Sequence, residues 1–256
     1  MKFKKRVARL RQKQKEIKLR NLIPNFITLI SLCLGLTAIR VSFEGLFEKA
    51  IILILIAGVM DFLDGKTARL LKVKSKLGAY LDSLVDMVSF GVAPMFVMYN
   101  FALSAHQKVG WTVCLYFSVC MALRLARFNA MIDEDAPNVE RQYFFGVPAP
   151  MGGYIISIPL LLFLETEWEF LKNFSLNFVL IWGTGALMIS KLPVFSFKYV
   201  QFSKQQLKIL VFVFLSSLPF FYTHLYLMLG LIGVLSIASI PISFNYYKKN
   251  HNENLY

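Results

Sequence analysis

The feature that most constrains this chain is a series of apolar stretches near residues 22–40, 47–64, 78–103, 109–129, 150–164, 174–192, 206–222 and 225–244. Most of them reach the length a helix needs to cross a hydrocarbon core about 30 Å thick. They lack the period-2 alternation of barrel strands, and backbone polar groups in lipid must be satisfied within their own segment, so the spans are helices. Hydrophobic residues make up 57% of the 256, with a mean hydropathy of +0.57, which excludes an ordinary water-soluble domain. The expected fold is all-α, a polytopic transmembrane bundle of about eight spans. The fifth and seventh stretches are short and the last two nearly touch, so six or seven spans are the alternatives.

Orientation follows from the 28 lysines and arginines, because short cytoplasmic loops carry the excess of positive charge. Eight spans place Arg40, Lys49, Lys108 and Lys172 on one side and the other 24 basic residues on the side of the two termini. The expectation is therefore a membrane protein with both ends in the cytoplasm. It divides into a basic juxtamembrane helix at residues 1–21, a membrane domain at 22–245 and a tail at 246–256. Ten basic residues crowd the first segment. Its Val7, Leu10, Ile17 and Leu19 recur at helical spacing, and it abuts a span, so it reads as an amphipathic helix on anionic lipid rather than as a nucleic-acid arm. The first apolar stretch carries Asn25, Thr28 and Ser31 and reads as an uncleaved span, not a signal peptide. Cys33, Cys114 and Cys120 show no CxxC spacing and read as packing residues.

Of the fifteen acidic residues, eleven fall in loops, segment ends or tails. The other four, Asp61, Asp64, Asp82 and Asp86, sit at the inner edges of the second and third spans. An aspartate within a membrane helix costs roughly 2.5 to 3.5 kcal/mol on insertion scales, so such acids mark ion or substrate sites. Asp61 and Asp64 share one helical face, Gly78, Asp82 and Asp86 form a stripe stepping by four, and the short connection at residues 72–76 lets the two faces meet. Converging carboxylates call for cations, and an all-oxygen set without His or Cys selects Mg²⁺, Mn²⁺ or Ca²⁺. Two such ions suit phosphoryl transfer. His106, His224 and His251 map away from the cluster, which leaves a carboxylate as the general base. Gly65, Ala68 and Gly78 leave room for a bulky ligand, and Arg69 offers a fork for phosphate oxygens; small residues also serve helix packing in membranes.

Together these residues complete D-x2-D-G-x2-A-R-x8-G-x3-D-x3-D as Asp61, Asp64, Gly65, Ala68, Arg69, Gly78, Asp82 and Asp86. That pattern resembles the signature of the CDP-alcohol phosphatidyltransferases. The resemblance implies a membrane enzyme that moves a phosphatidyl group from CDP-diacylglycerol to an alcohol and releases CMP, with two Mg²⁺ or Mn²⁺ ions on Asp61, Asp64, Asp82 and Asp86. Asp86 would be the general base. Gly65, Ala68, Arg69 and Gly78 would line the CDP pocket, which Asn25 and Thr28 would complete. A homodimer is implied as well. The stretches PNFITLISLCLG (24–35), SFGVAP (89–94), RLARFN (124–129), FFGVPAP (144–150) and SKLPVFSFK (190–198) resemble the bacterial members that use L-serine as acceptor. Arg124 and Arg127 would then meet the serine carboxylate, and Asn129, Ser89 or Ser190 its ammonium. Snorkelling toward headgroups accounts for either arginine taken alone. Ser31 departs from the family pattern, which has Asn there in many members. A sibling reaction on glycerol 3-phosphate or an inositol phosphate, and an acid-lined transporter or scaffold, are the competing expectations.

Overall fold

A computed structural model describes residues 2–73, 75–133, 144–190, 193, 194, 220 and 223–238. The chain opens on α1, Lys2–Phe43, a single helix that continues through Pro24. The basic tail is therefore helical, and no break separates it from the first span. Pro24, which cannot donate a hydrogen bond, is the natural place for that helix to change direction. Gly45, at φ +73°, turns the chain into α2, Phe47–Leu70. A left-handed φ of this kind is open to glycine without steric cost.

An apolar helical run of 55 residues follows, Lys76–Ala130. Straight, it would be about 80 Å long, more than twice the thickness of a hydrocarbon core. It instead folds back at the 3₁₀ turn Ser104–His106. Ser75 starts α3, Lys76–Asp86, by accepting the Gly78 N–H at 2.9 Å. A π-helical stretch, Met87–Val92, leads to α4, Ala93–Met98, and a second, Tyr99–Leu103, leads to the turn. The return helix is α5, Gln107–Asp133. Its two ends mark the antiparallel pairing: Tyr99 meets Trp111 edge to face at 6.0 Å, and Ser83 meets Asn129 at 2.9 Å.

Pro94 supplies a physical origin for the first π stretch. It has no N–H for the Phe90 carbonyl, and the Ala93 N–H bonds back five residues to Val88, the π register. The fifth apolar stretch is split at Ser157 into α6, Ala149–Ile156, and α7, Ile158–Thr166. Gly153 of α6 lies against the backbone of Phe90, where an added Cβ would fall 2.5 Å from the carbonyl oxygen, so only glycine allows this approach to the π stretch. Next come α8, Phe174–Ile189, and α9, Leu225–Ala238. The one departure from an all-helical chain among the described residues is a two-residue pair, Phe144–Phe145 against Pro193–Val194.

The helix ends sort into two levels. At one lie the start of the α1 span, the end of α2, the start of α3, the ends of α5 and α8 and the start of α6. At the other, Phe47 packs on Phe101 and Phe101 on Phe163, while His224, just before α9, and Tyr226, in its first turn, bond Glu165 and Glu48. The core between them is made of Ala38, Ile51, Ile54, Met95, Met98, Phe117, Met121, Ile156 and Leu160, all at most 5% exposed. Its outer rim of exposed Leu, Val, Phe and Trp side chains is what a lipid-facing surface requires. Five of the eight apolar stretches expected from the sequence are helical here, the fifth with a turn at Ser157, while the sixth is so over residues 174–189 and the eighth over residues 225–238. Residues 206–219, most of the seventh, lie outside the described residues.

Candidate active site

The site forms where α1, α2, α3 and α5 converge at the first level. Asp61 and Asp64 occupy one face of α2 and Asp82 the facing stripe of α3, and one carboxylate oxygen from each of the three lies within 4.8 Å of the others. Asp86, one turn on, stands apart from this trio. Its carboxyl is within hydrogen-bonding reach of Asp61 and within the field of the Arg124 guanidinium. Two ionised carboxylates come this close only with a cation or a shared proton between them.

Asp64 is 4% exposed, and its Oδ2 accepts a 2.5 Å hydrogen bond from Thr28 Oγ1 on α1. The hydroxyl of Ser31, one turn further along α1, donates to the Ala57 carbonyl of α2 at 3.0 Å. Ser89, in the π stretch, donates to the Ser31 carbonyl at 3.1 Å. These three bonds tie α1, α2 and the segment after α3 into one frame around the carboxylates. The departure at Ser31 thus has a structural meaning, because a short hydroxyl bridges two backbones there. Ser89 is completely buried, and its hydroxyl bond to the α1 backbone makes it part of that frame.

Oδ1 of Asp86 and Nε of Arg124 are buried and make no hydrogen bond to the protein. Buried polar atoms of this kind call for a ligand, an ion or water. An all-oxygen carboxylate trio with a fourth, unsatisfied carboxylate beside it fits the coordination preferences of Mg²⁺ and Mn²⁺. Gly65 opens onto free space next to Asp64. Gly78 is narrower: an added Cβ would sit 2.9 Å from Ser75 Oγ and 3.2 Å from Asn25 Oδ1, so Asn25 is placed at the site's edge. Ala68 is half-buried, and Arg69 is exposed at the end of α2.

The two arginines of RLARFN separate in the fold. Arg124 lies within the electrostatic reach of Asp86, whereas Arg127 donates from Nη1 to the Ile189 carbonyl at 3.0 Å and thereby anchors the end of α8. Asn129 is bonded to Ser83, whose hydroxyl also lies 3.2 Å from the Ala79 carbonyl. Ser190 caps α8 and donates to the Leu187 carbonyl at 2.7 Å. Two stretches singled out by sequence, FFGVPAP and SKLPVFSFK, meet each other: Phe144 pairs with Val194 and Phe145 with Pro193. Gly146, at φ +80°, lets this turn lie over the end of α8, where a Cβ would fall 2.5 Å from the Met188 carbonyl oxygen. Sequence reasoning missed the link from Thr28 to Asp64 and that from Ser83 to Asn129. The first had one visible signal, a threonine a turn after a proline in an apolar helix.

Comparisons with known proteins agree with this geometry. The CDP-alcohol phosphatidyltransferase family model matches residues 21–190. A Mycobacterium leprae protein named CDP-diacylglycerol–serine O-phosphatidyltransferase is 43% identical over 176 residues, covering 68% of this chain and 58% of the relative. Proteins of the same name from Helicobacter pylori and Bacillus subtilis are each 33% identical, over 199 and 184 residues, covering 76% and 72% of this chain and 80% and 93% of the relatives. The chain spans about 58% to 60% of the length of the mycobacterial relatives it matches. With the signature complete from Asp61 to Asp86 and its acids drawn together by two adjoining helices, the chain belongs to the CDP-alcohol phosphatidyltransferase family.

Proposed function

We propose that this protein transfers the phosphatidyl group of CDP-diacylglycerol to L-serine, giving phosphatidylserine and CMP. The observation that carries the proposal is the convergence of Asp61, Asp64 and Asp82, with a fourth carboxylate, Asp86, that keeps a buried oxygen unpartnered beside them. The shared name of relatives from three bacterial genera supports serine as the acceptor.

Asp61, Asp64 and Asp82 would hold two Mg²⁺ or Mn²⁺ ions, with Asp86 at their margin. When bound, such ions neutralise the diphosphate and stabilise the attacking and leaving oxygens. The chain's own residues do the rest. Asp86 takes the proton of the serine hydroxyl as that oxygen attacks the phosphatidyl phosphorus. The new serine O–P bond forms as the bond from phosphorus to the CMP oxygen breaks, and CMP leaves with that electron pair. Arg124 offers its donors to the serine carboxylate, a planar fork matched to a planar acceptor. Asn129 meets the serine ammonium, and Arg127 and Ser190 hold the α5–α8 wall behind it. Gly65, Ala68, Gly78 and Asn25 shape the CDP pocket, with Arg69 at its mouth.

The reading includes eight spans, both termini in the cytoplasm and residence in the bacterial cytoplasmic membrane. Its support is the basic residues on the aspartate side. In addition, α8 ends at the aspartate level and α9 starts at the other, a difference that one further crossing accounts for. A homodimer packed through membrane helices completes the proposal, on the family resemblance alone. The test is an acceptor panel: purified protein in detergent, CDP-diacylglycerol and Mg²⁺ or Mn²⁺, with serine, glycerol 3-phosphate, inositol or inositol phosphate. Release of CMP with serine alone is expected. Release with a phosphorylated alcohol would replace the acceptor, and no release with any of them would favour a transporter or scaffold.

A further inference from the structure

Asp64 is the one carboxylate of the trio that accepts a hydroxyl hydrogen bond from another helix among the described residues. Thr28 Oγ1 lies 2.5 Å from Asp64 Oδ2 and 3.0 Å from the Pro24 carbonyl. Both side chains are nearly inaccessible, at 5% and 4% exposure. The distance to the carboxylate is in the range of a charge-assisted O–H···O⁻ bond, which is the stronger claim on the single hydroxyl proton.

The frame fixes this contact. Ser31 lies three residues after Thr28 on α1, and its partner Ala57 lies seven residues before Asp64 on α2, so the two bonds are successive rungs between antiparallel helices. The Ser89 bond to the Ser31 carbonyl adds a third anchor from the segment that follows Asp86. A β-branched threonine has few rotamers in a helix, so its hydroxyl is held in place before any ligand arrives.

We infer that Thr28 is a positioning residue for the metal centre: it occupies Asp64 Oδ2 and so presents Oδ1 to the cation shared with Asp61 and Asp82. The inference rests on the reading of that trio as a divalent-metal site. It differs from the expectation that Thr28 lines the CDP pocket, because it assigns the hydroxyl to a protein carboxylate and not to the nucleotide. Outer hydrogen-bond partners of metal ligands generally contribute 10- to 100-fold to metal affinity.

The experiment is a titration of the purified full-length protein in detergent with Mn²⁺, read by electron paramagnetic resonance without substrate. The parent is compared with T28V, T28A, T28S and D64N, and metal-free melting reports folding. T28V and T28A are expected to raise the Mn²⁺ dissociation constant about 10- to 100-fold, with T28S binding as the parent does. In turnover, the metal activation constant rises while the KM for CDP-diacylglycerol holds. Parent-like Mn²⁺ binding by T28V would overturn the inference, as would a T28S as weak as T28V, which would show that the hydroxyl does not carry the effect. Should T28V fail to fold, T28A against T28S decides the same question. A parent that binds no Mn²⁺, or a D64N that binds as well as the parent, would instead remove the metal reading on which the inference stands.

Discussion

Asp86 differs from the other three carboxylates in its company. It lies beside Asp61, within the field of Arg124, and keeps one buried oxygen without a protein partner, whereas Asp61, Asp64 and Asp82 crowd together as a carboxylate trio. The account assigns it proton transfer, a contribution of typically 10²- to 10⁴-fold. D86N is therefore expected to lose at least 10²-fold in the rate of CMP release while still binding Mn²⁺, and D82N to lose both. A D86N that turns over normally would move the base elsewhere. Arg124→Lys keeps the charge and discards the planar fork, so it should raise the KM for serine more than that for CDP-diacylglycerol. Equal rises would remove Arg124 from the acceptor pocket. The aspartates were legible because their spacing places them on facing stripes of adjoining helices. The partner of Asp64 was not, since Thr28 is 36 residues distant and a polar membrane residue bonds to whichever helix lies beside it.

At the scale of elements, the third span is where sequence and structure part. Apolar periodicity gives a helix from 78 to 103, and the chain is helical there, but its π stretches interrupt the regular register. Gly91 and Pro94 are the sequence signs of that irregularity, and proline's missing N–H is its cause. The π stretch brings Phe90 against Gly153, so G153V should overpack this contact and destabilise the protein by about 1 to 3 kcal/mol, seen as earlier melting in detergent with metal present. Unchanged melting would show that α6 can move away. FFGVPAP illustrates another limit. Its Gly and Pro announce a turn, and the turn exists at Gly146, yet its partner near Pro193 lies almost fifty residues on, too far for any local pattern to reveal.

For the whole molecule, apolar length and charge asymmetry carried the reading furthest. The all-helical architecture and its two levels follow from spans of membrane length, and the fold-back at Ser104–His106 from the impossibility of an 80 Å span. Sidedness belongs to the proposal, and cysteine labelling in intact cells tests it: cysteines introduced in turn at Lys108 and Lys172 should react with an impermeant reagent, and one introduced at Lys72 should not. The reverse pattern would invert the bundle and place the aspartates on the outer side. The site as a whole depends on carboxylates that no histidine or cysteine assists, so chelation should abolish activity and Mg²⁺ or Mn²⁺ should restore it. That dependence joins every scale of the account. The most direct measurement is serine-dependent CMP release by purified, metal-stripped protein as Mg²⁺ or Mn²⁺ is returned, for the parent and for D61N, D64N, D82N and D86N. Metal-restored release in the parent, with loss in all four variants, is the predicted result. Release without metal, or in variants of the trio, would contradict the claim that these aspartates form a metal-dependent phosphatidyl-transfer centre.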